Sequence, residues 1–412
     1  MKNIIYRQKW GRRALCQAAA ALFFCPLFAA ESLPSSAMTQ PVERSNTIGF
    51  RLNARAGEAG GNSFFSPYAL YSAFSMAYDC ARENTAAEMR SVFGFTEDRE
   101  VHRREAVQLR RRLIKAARGA EFRRVSAFWY QKGYELLPEY EAVLKSSYSA
   151  SAETADFRSS AERARAAVNA WTEKQTGGLV AGVFEPGSVT QLTRLALVSA
   201  AAFKGSWKIA FSTGGTSEQE FSLSSGEKVT AQLMFSGAPV KINYFEDEEF
   251  QAAGLDYLGG GLRMLVLLPG PGKSAAALGK ALSQEKLAAL RTALSARLEP
   301  VLLYLPRFKI SSSRDLAAEL SALGMPLAFS EDADYSGMTG RKGLYLQKAA
   351  QKVFLEVDEG GSGTVRGKVK MAKRRKKPPV FRADRPFVFL VEDKLTGLIL
   401  FMGRLEDPNR GV

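Results

Sequence analysis

The 412-residue sequence predicts an α+β fold, with helices mainly in the first half and strands mainly in the second. Three observations predict it. Apolar residues recur at helical spacing before Leu195, strand-like apolar runs dominate after it, and no fixed-period repeat runs through the chain. A hydrophobic fraction of 46% and a charged fraction of 24% are ordinary for a soluble globular protein.

The chain opens with Lys2, Arg7, Lys9, Arg12 and Arg13, followed by an apolar run from Ala14 to Ala30. A basic head, a short apolar middle and small residues at the exit read as a signal peptide over residues 1–30, so a secreted or periplasmic location is expected. The run is short for a membrane span. Lipid anchoring at Cys25 is not expected, because bulky Phe24 precedes it. Residues 31–46 read as a flexible lead-in and 47–408 as one domain.

Helical spacing marks Leu70–Ala81, Asn84–Phe93, the segment from Glu100 to Phe122, and Ala161–Gln175, where Val168 and Trp171 share a face. Strand-like runs follow at Leu195–Phe203, Lys228–Phe235, Val240–Tyr244, Met264–Leu268, Val301–Leu305 and Leu344–Val357. Helical patterns return at Gln284–Ala296 and Arg314–Leu323. The last strands, Phe387–Glu392 and Gly397–Leu405, are joined by a turn over Asp393–Thr396. The Gly-Pro clusters Glu185–Ser188 and Pro269–Lys273 read as loops too short to separate domains.

Composition excludes several chemistries. With the leader removed, Cys80 is the one cysteine left, so no internal disulfide forms, and its small-apolar surroundings read as packing. His102 is the single histidine. It stands among Arg99, Arg103 and Arg104, which would disfavour the imidazolium of a catalytic triad, and it reads as a solvated helix position. Zinc sites built from His and Cys are excluded for want of ligands. Gly259–Gly261 lacks the following helix and Lys of a phosphate loop and reads as a hairpin turn. The acidic run Glu246–Glu249 reads as an exposed face, because consecutive carboxylates cannot oppose each other across a substrate. An enzyme is not expected, and no cofactor or metal is implied.

The net charge of +15 is local. The leader holds +5; Arg99–Arg124 holds ten basic and three acidic residues; Arg366–Lys377 holds eight basic residues in twelve and no acidic one. In the first patch Val101, Leu109, Leu113 and Ile114 can face inward while Arg103, Arg110, Arg111, Lys115 and Arg118 cover the outer side. That face is either solvated surface or a site for a polyanion: a heparin-like glycan, an acidic lipid surface or nucleic acid. Nucleic acid is disfavoured because no aromatic residues interleave the cations. The second patch, EGGSGTVRGKVKMAKRRKKPPVFRADRPFVF from Glu359 to Phe389, passes from a glycine-rich hinge through bare basic residues to a dense apolar strand. It is either a solvated basic loop or bait for trypsin-like proteases, whose specificity pocket binds Arg or Lys.

Four ordered segments carry a family resemblance. NSFFSPYALYSAFSMAYDCARENTAAEM, VNAWTEKQTGG, LALVSAAAFKGSWKIAF and FRADRPFVFLVEDKLTGLILFMGRLEDP together resemble the serpins over about Thr47 to Pro408. The resemblance implies a monomer of three β-sheets and eight or nine helices with a reactive loop held outside the body. In inhibitory members a serine protease attacks that loop and forms an acyl-enzyme, and the cut loop then inserts into the largest sheet as a new strand. The hinge would be Glu359, Gly360, Gly361 and Ser362. Counting sixteen residues on from Glu359, or eleven back from Pro386, places the scissile bond at Arg375–Lys376, with Lys373 and Arg374 before it.

The sequence departs from the family pattern at the hinge. Ser362, Thr364, Arg366, Lys368 and Lys370 alternate with Gly363, Val365, Gly367, Val369 and Met371, and by family register the cationic set would point into the core. A slip of one residue would reverse the faces. By alignment, a usual Asn of the sheet-opening region is Ser199 and a usual His is Gln351, while Trp207 is retained. The leading expectation is a secreted inhibitor of trypsin-like serine proteases, forming a covalent acyl complex. The alternative is a non-inhibitory binding protein for a polyanion or an exported client, its insertion blocked by the charged hinge.

Overall fold

The computed structural model describes residues 36–56, 60–209, 211–296, 298–360 and 377–411, and its elements follow the apolar spacing of the sequence. The first third is helical: α1 (Ser36–Ala56), β1 (Ser63–Phe65), α2 (Pro67–Cys80), α3 (Glu83–Phe93) and α4 (Arg99–Ala116). The Ser66 hydroxyl caps α2 by accepting from the Ala69 N–H at 3.1 Å, and Pro67 opens the helix where its missing N–H costs nothing. All of α2 but Ser72 is buried, which makes it a core helix. Cys80 is fully buried there, as its surroundings predict.

The long strand β2 (Ala120–Gln131) leads to α5 (Pro138–Val143), a π-helical turn over Leu144–Tyr148, β3 (Ser151–Ala155), α6 (Phe157–Gln175) and β4 (Leu195–Gly205). Strands β5 (Ser217–Ser222), β6 (Lys228–Phe235), β7 (Val240–Glu246), β8 (Phe250–Asp256) and β9 (Leu262–Pro269) precede helices α7 (Ala275–Lys280) and α8 (Gln284–Ser295). The rest comprises β10 (Leu298–Pro306), β11 (Phe308–Asp315), α9 (Leu316–Ala322), α10 (Ser336–Thr339), β12 (Leu346–Val357), β13 (Val380–Arg382), β14 (Phe387–Asp393) and β15 (Ile399–Leu405).

Five strands form one sheet in the order β11-β12-β4-β2-β3. Its centre is a parallel pair, β12 with β4, in register from Leu346 opposite Leu195 to Glu356 opposite Lys204. One face, carrying Leu197, Ala201, Phe203, Val353 and Leu355, closes on the main core. The other carries Ala127, Trp129, Ala196 and Val198 against Phe157, Ala164 and Val168 of α6, with Trp171 edge-on to Trp129 at 5.9 Å. The other sheet has ten strands, in the order β1-β15-β14-β9-β8-β7-β10-β6-β5, with β13 beside β10. Strand β10 serves two groups: Leu298–Val301 pairs with β7, while the residues beyond pair with β6 and β13. The second and third sheets expected from the resemblance are therefore continuous through one strand.

Three expectations are corrected. The lead-in over 31–46 is helical from Ser36, and Val42, Ser45 and Asn46 are already buried; polar residues between the apolar ones, and Pro41, hide this helix from a periodicity reading. His102 is not solvated but 1% exposed, on a buried stripe with Leu109, Leu113 and Ala116. As a flat ring it packs 4.9 Å from Phe95 and 5.1 Å from Tyr78. Ile114 is 65% exposed rather than inward, one helical step round from Leu113. The Gly259–Gly261 hairpin and the exposed face of Glu246–Glu249 are as read from the sequence, at the β8–β9 and β7–β8 turns.

Candidate functional site

The parallel seam between β4 and β12 is the candidate site. At its upper end β12 hands the chain to Asp358, Glu359 and Gly360, and three groups hold that exit. The Trp207 indole N–H donates to the Asp358 carbonyl at 2.8 Å, and its backbone N–H donates to the Gly360 carbonyl at 2.9 Å. The indole itself stacks on Tyr257, centroids 4.5 Å apart. Gly205 at the end of β4 permits this, since a Cβ there would run into the Tyr257 ring.

Glu359 is tied to the body by two donors, the Thr216 hydroxyl and Arg307 Nη2 at 2.5 Å. Burial raises the pKa of its carboxyl, but those two partners outweigh burial and hold it below the usual carboxylate range. Three residues back, on β12, Glu356 accepts from Lys204 of β4 at 2.7 Å and from Lys309 of β11 at 2.8 Å. The first of these pairs spans the seam.

At mid-seam Gln351 and Ser199 stand directly opposite each other, both fully buried. Gln351 Nε2 donates to the Ser66 carbonyl at 3.0 Å, and the Ser66 N–H donates to Gln351 Oε1 at 2.9 Å. The amide thus makes a two-point clamp between β12 and the start of α2. The Ser199 hydroxyl has no hydrogen-bond partner among the described residues. The polar network that the two substitutions required is rebuilt on the β12 side and left open on the β4 side.

Between two parallel strands, one segment running the opposite way can form antiparallel ladders with both. A segment that left the upper end of β12 and returned to the seam would run in that direction. Gly361, Ser362, Lys373, Arg374, Arg375 and Lys376 lie outside the described residues; from Lys377 the described chain leads into β13.

The basic residues of α4 divide. Arg103 is spent on buried Asp79, donating from Nε and Nη2 at 2.8 Å each. Arg110 donates to the Ser146 carbonyl at 3.0 Å, while Arg111, Lys115 and Arg118 are exposed. Sequence reasoning missed Thr216, Arg307, Ser66 and Tyr257, which are brought to the seam from distant elements without a local pattern to betray them.

The main sheet thus has a parallel pair, β4 with β12, at its centre, and the chain leaves it at the upper end of β12. Residues 43–408 match the family model described as serpin (serine protease inhibitor), and the chain belongs to the serpin family. It is 34% identical to Serpin B8 of Bos taurus over 350 residues, covering 84% of this chain and 93% of that protein. It is also 34% identical to the leukocyte elastase inhibitor of Bos taurus over 354 residues, with the same coverage. Among solved structures, uncleaved ovalbumin is similar with a TM-score of 0.79 and 28% identity, over 89% of this chain and all of that one.

Proposed function

We propose that the chain is an exported, single-use inhibitor of trypsin-like serine proteases, with Arg375–Lys376 as the bond attacked. The β4–β12 seam carries the reading: five strands are paired, and the loop is rooted at the seam's upper end by Trp207 and Glu359. The protease serine attacks the Arg375 carbonyl, the Lys376 amine leaves with a proton, and an acyl ester remains. Insertion of the freed segment antiparallel to β4 and β12 then moves the acyl-enzyme away before water can attack the ester. Arg375, preceded by Lys373 and Arg374, supports trypsin-like specificity, and residues 1–30 support export.

A titration with trypsin, read on a denaturing gel together with melting of the product, tests this. A covalent band, and a cleaved form melting well above the intact one, is the expected result. Cleavage without either would leave the second reading, a non-inhibitory binding protein. That reading is favoured by the inner face of the seam, where Leu197, Ala201, Phe203, Val353 and Leu355 are buried and offer nothing to Arg366, Lys368 or Lys370. In that case Arg111, Lys115 and Arg118 would form part of a surface for a heparin-like polyanion, and retention on heparin would fall steeply with salt.

A further inference from the structure

A surface cleft of about 320 Å³ opens between α4, the start of β2 and the end of the π-helical turn. Its walls are apolar where Leu113, Ile114 and Phe122 meet, and Ile114 stands 65% exposed at its edge. Two guanidinium groups, those of Arg110 and Arg124, also line it. Both are anchored without charge compensation. Arg110 donates to the Ser146 carbonyl, and Arg124 donates to the Tyr148 carbonyl at 3.0 Å and to the Ser72 and Ser126 hydroxyls at 3.1 and 3.2 Å. Neither pairs with a carboxylate among the described residues. The carbonyls that hold them belong to the last turn of the π-helix, which closes on Ser149, a non-glycine residue at φ 52° that also lines the cleft.

Half-buried cations fixed in place without an anion, beside an apolar wall, suit one ligand chemistry. A sulfated glycan would use the cations and waste the wall; a neutral apolar molecule would do the reverse. We infer that this cleft binds a small anionic amphiphile, its carboxylate on Arg110 and Arg124 and its chain against Leu113, Ile114 and Phe122. Charge-assisted, bidentate hydrogen bonds from guanidinium to carboxylate supply orientation, and the apolar wall supplies burial.

The test is calorimetric titration of the full mature chain with monomeric dodecanoate, with dodecanol and a sulfated oligosaccharide as comparisons. One saturable site is expected for dodecanoate, with dodecanol binding at least about tenfold more weakly. Arg110→Gln should weaken dodecanoate about tenfold, and Ala117→Phe, which fills the cleft from the end of α4, should abolish binding while the variant still melts cooperatively. Equal binding of dodecanol, unchanged binding to both variants, or full displacement of dodecanoate by the oligosaccharide would each overturn the assignment.

Discussion

His102 exchanges hydration for ring packing, and the exchange makes stability depend on pH. Burial lowers its pKa from 6.5 to about 4, against a weaker opposing effect from its hydrogen bond to the Ser75 carbonyl. Between pH 6.5 and pH 4 the unfolded chain therefore binds more protons than the folded one, so stability falls as pH falls through that window. The full effect is about 3 kcal/mol. His102→Phe should remove it, so the wild type's melting temperature should fall more steeply than the variant's from pH 7 to pH 4; parallel curves would refute the burial argument. A different constraint acts at the β8–β9 turn. Gly259 has φ 87°, and a Cβ there would run into the Arg118 carbonyl at the end of α4, whereas Gly260 at φ 71° faces open space. Gly259→Ala should cost about 2–4 kcal/mol in denaturant unfolding and Gly260→Ala about 1 kcal/mol. Equal costs would mean that α4 does not press on the turn.

At the scale of elements, the seam contrasts two buried polar groups facing each other. Removing the Gln351 amide strands the Ser66 N–H in the core, while the Ser66 carbonyl keeps its bond from the Leu70 N–H, so Gln351→Leu should destabilise by about 1–3 kcal/mol. Ser199→Ala removes a hydroxyl that has no partner to lose, so it should be neutral or stabilise slightly. Reversed signs in equilibrium unfolding would show that the hydroxyl, not the amide, holds the seam. Legibility followed locality here. Strand β6 and the start of α8 match their apolar runs to the residue, and Ser199 and Gln351 were legible as departures from a family pattern. Ser66, the partner of Gln351, lies 285 residues away in sequence, and only packing of α2 against the sheet brings it there. His102 was misread for a related reason: Arg99 and Arg103 beside it are spent on the Ala81 carbonyl and on buried Asp79, contacts the sequence does not display, while its own position falls on the buried stripe.

On the scale of the whole molecule, the proposed inhibition makes the outcome of cleavage a race between insertion of the loop and hydrolysis of the acyl ester. On the inner face of the seam Leu197, Ala201, Phe203, Val353 and Leu355 admit no charge, and in the family register Arg366, Lys368 and Lys370 would enter that face. Burying unpaired cations among those groups costs several kcal/mol in all, even where long stems let the charges reach outward. A one-residue slip would place Val365, Val369 and Met371 inward instead, with the cations on the side where Glu356 already holds Lys204 and Lys309. Each 1.4 kcal/mol taken from the insertion barrier speeds insertion about tenfold relative to hydrolysis. The triple substitution Arg366→Thr, Lys368→Ala and Lys370→Ala leaves Arg375 untouched, so cleavage should proceed as before. If the family register operates, the covalent fraction with trypsin should rise at least about tenfold relative to cleaved product. An unchanged partition would mean that the cations never enter the core and the loop inserts in the shifted register, with Val369→Asp then expected to lower the covalent fraction.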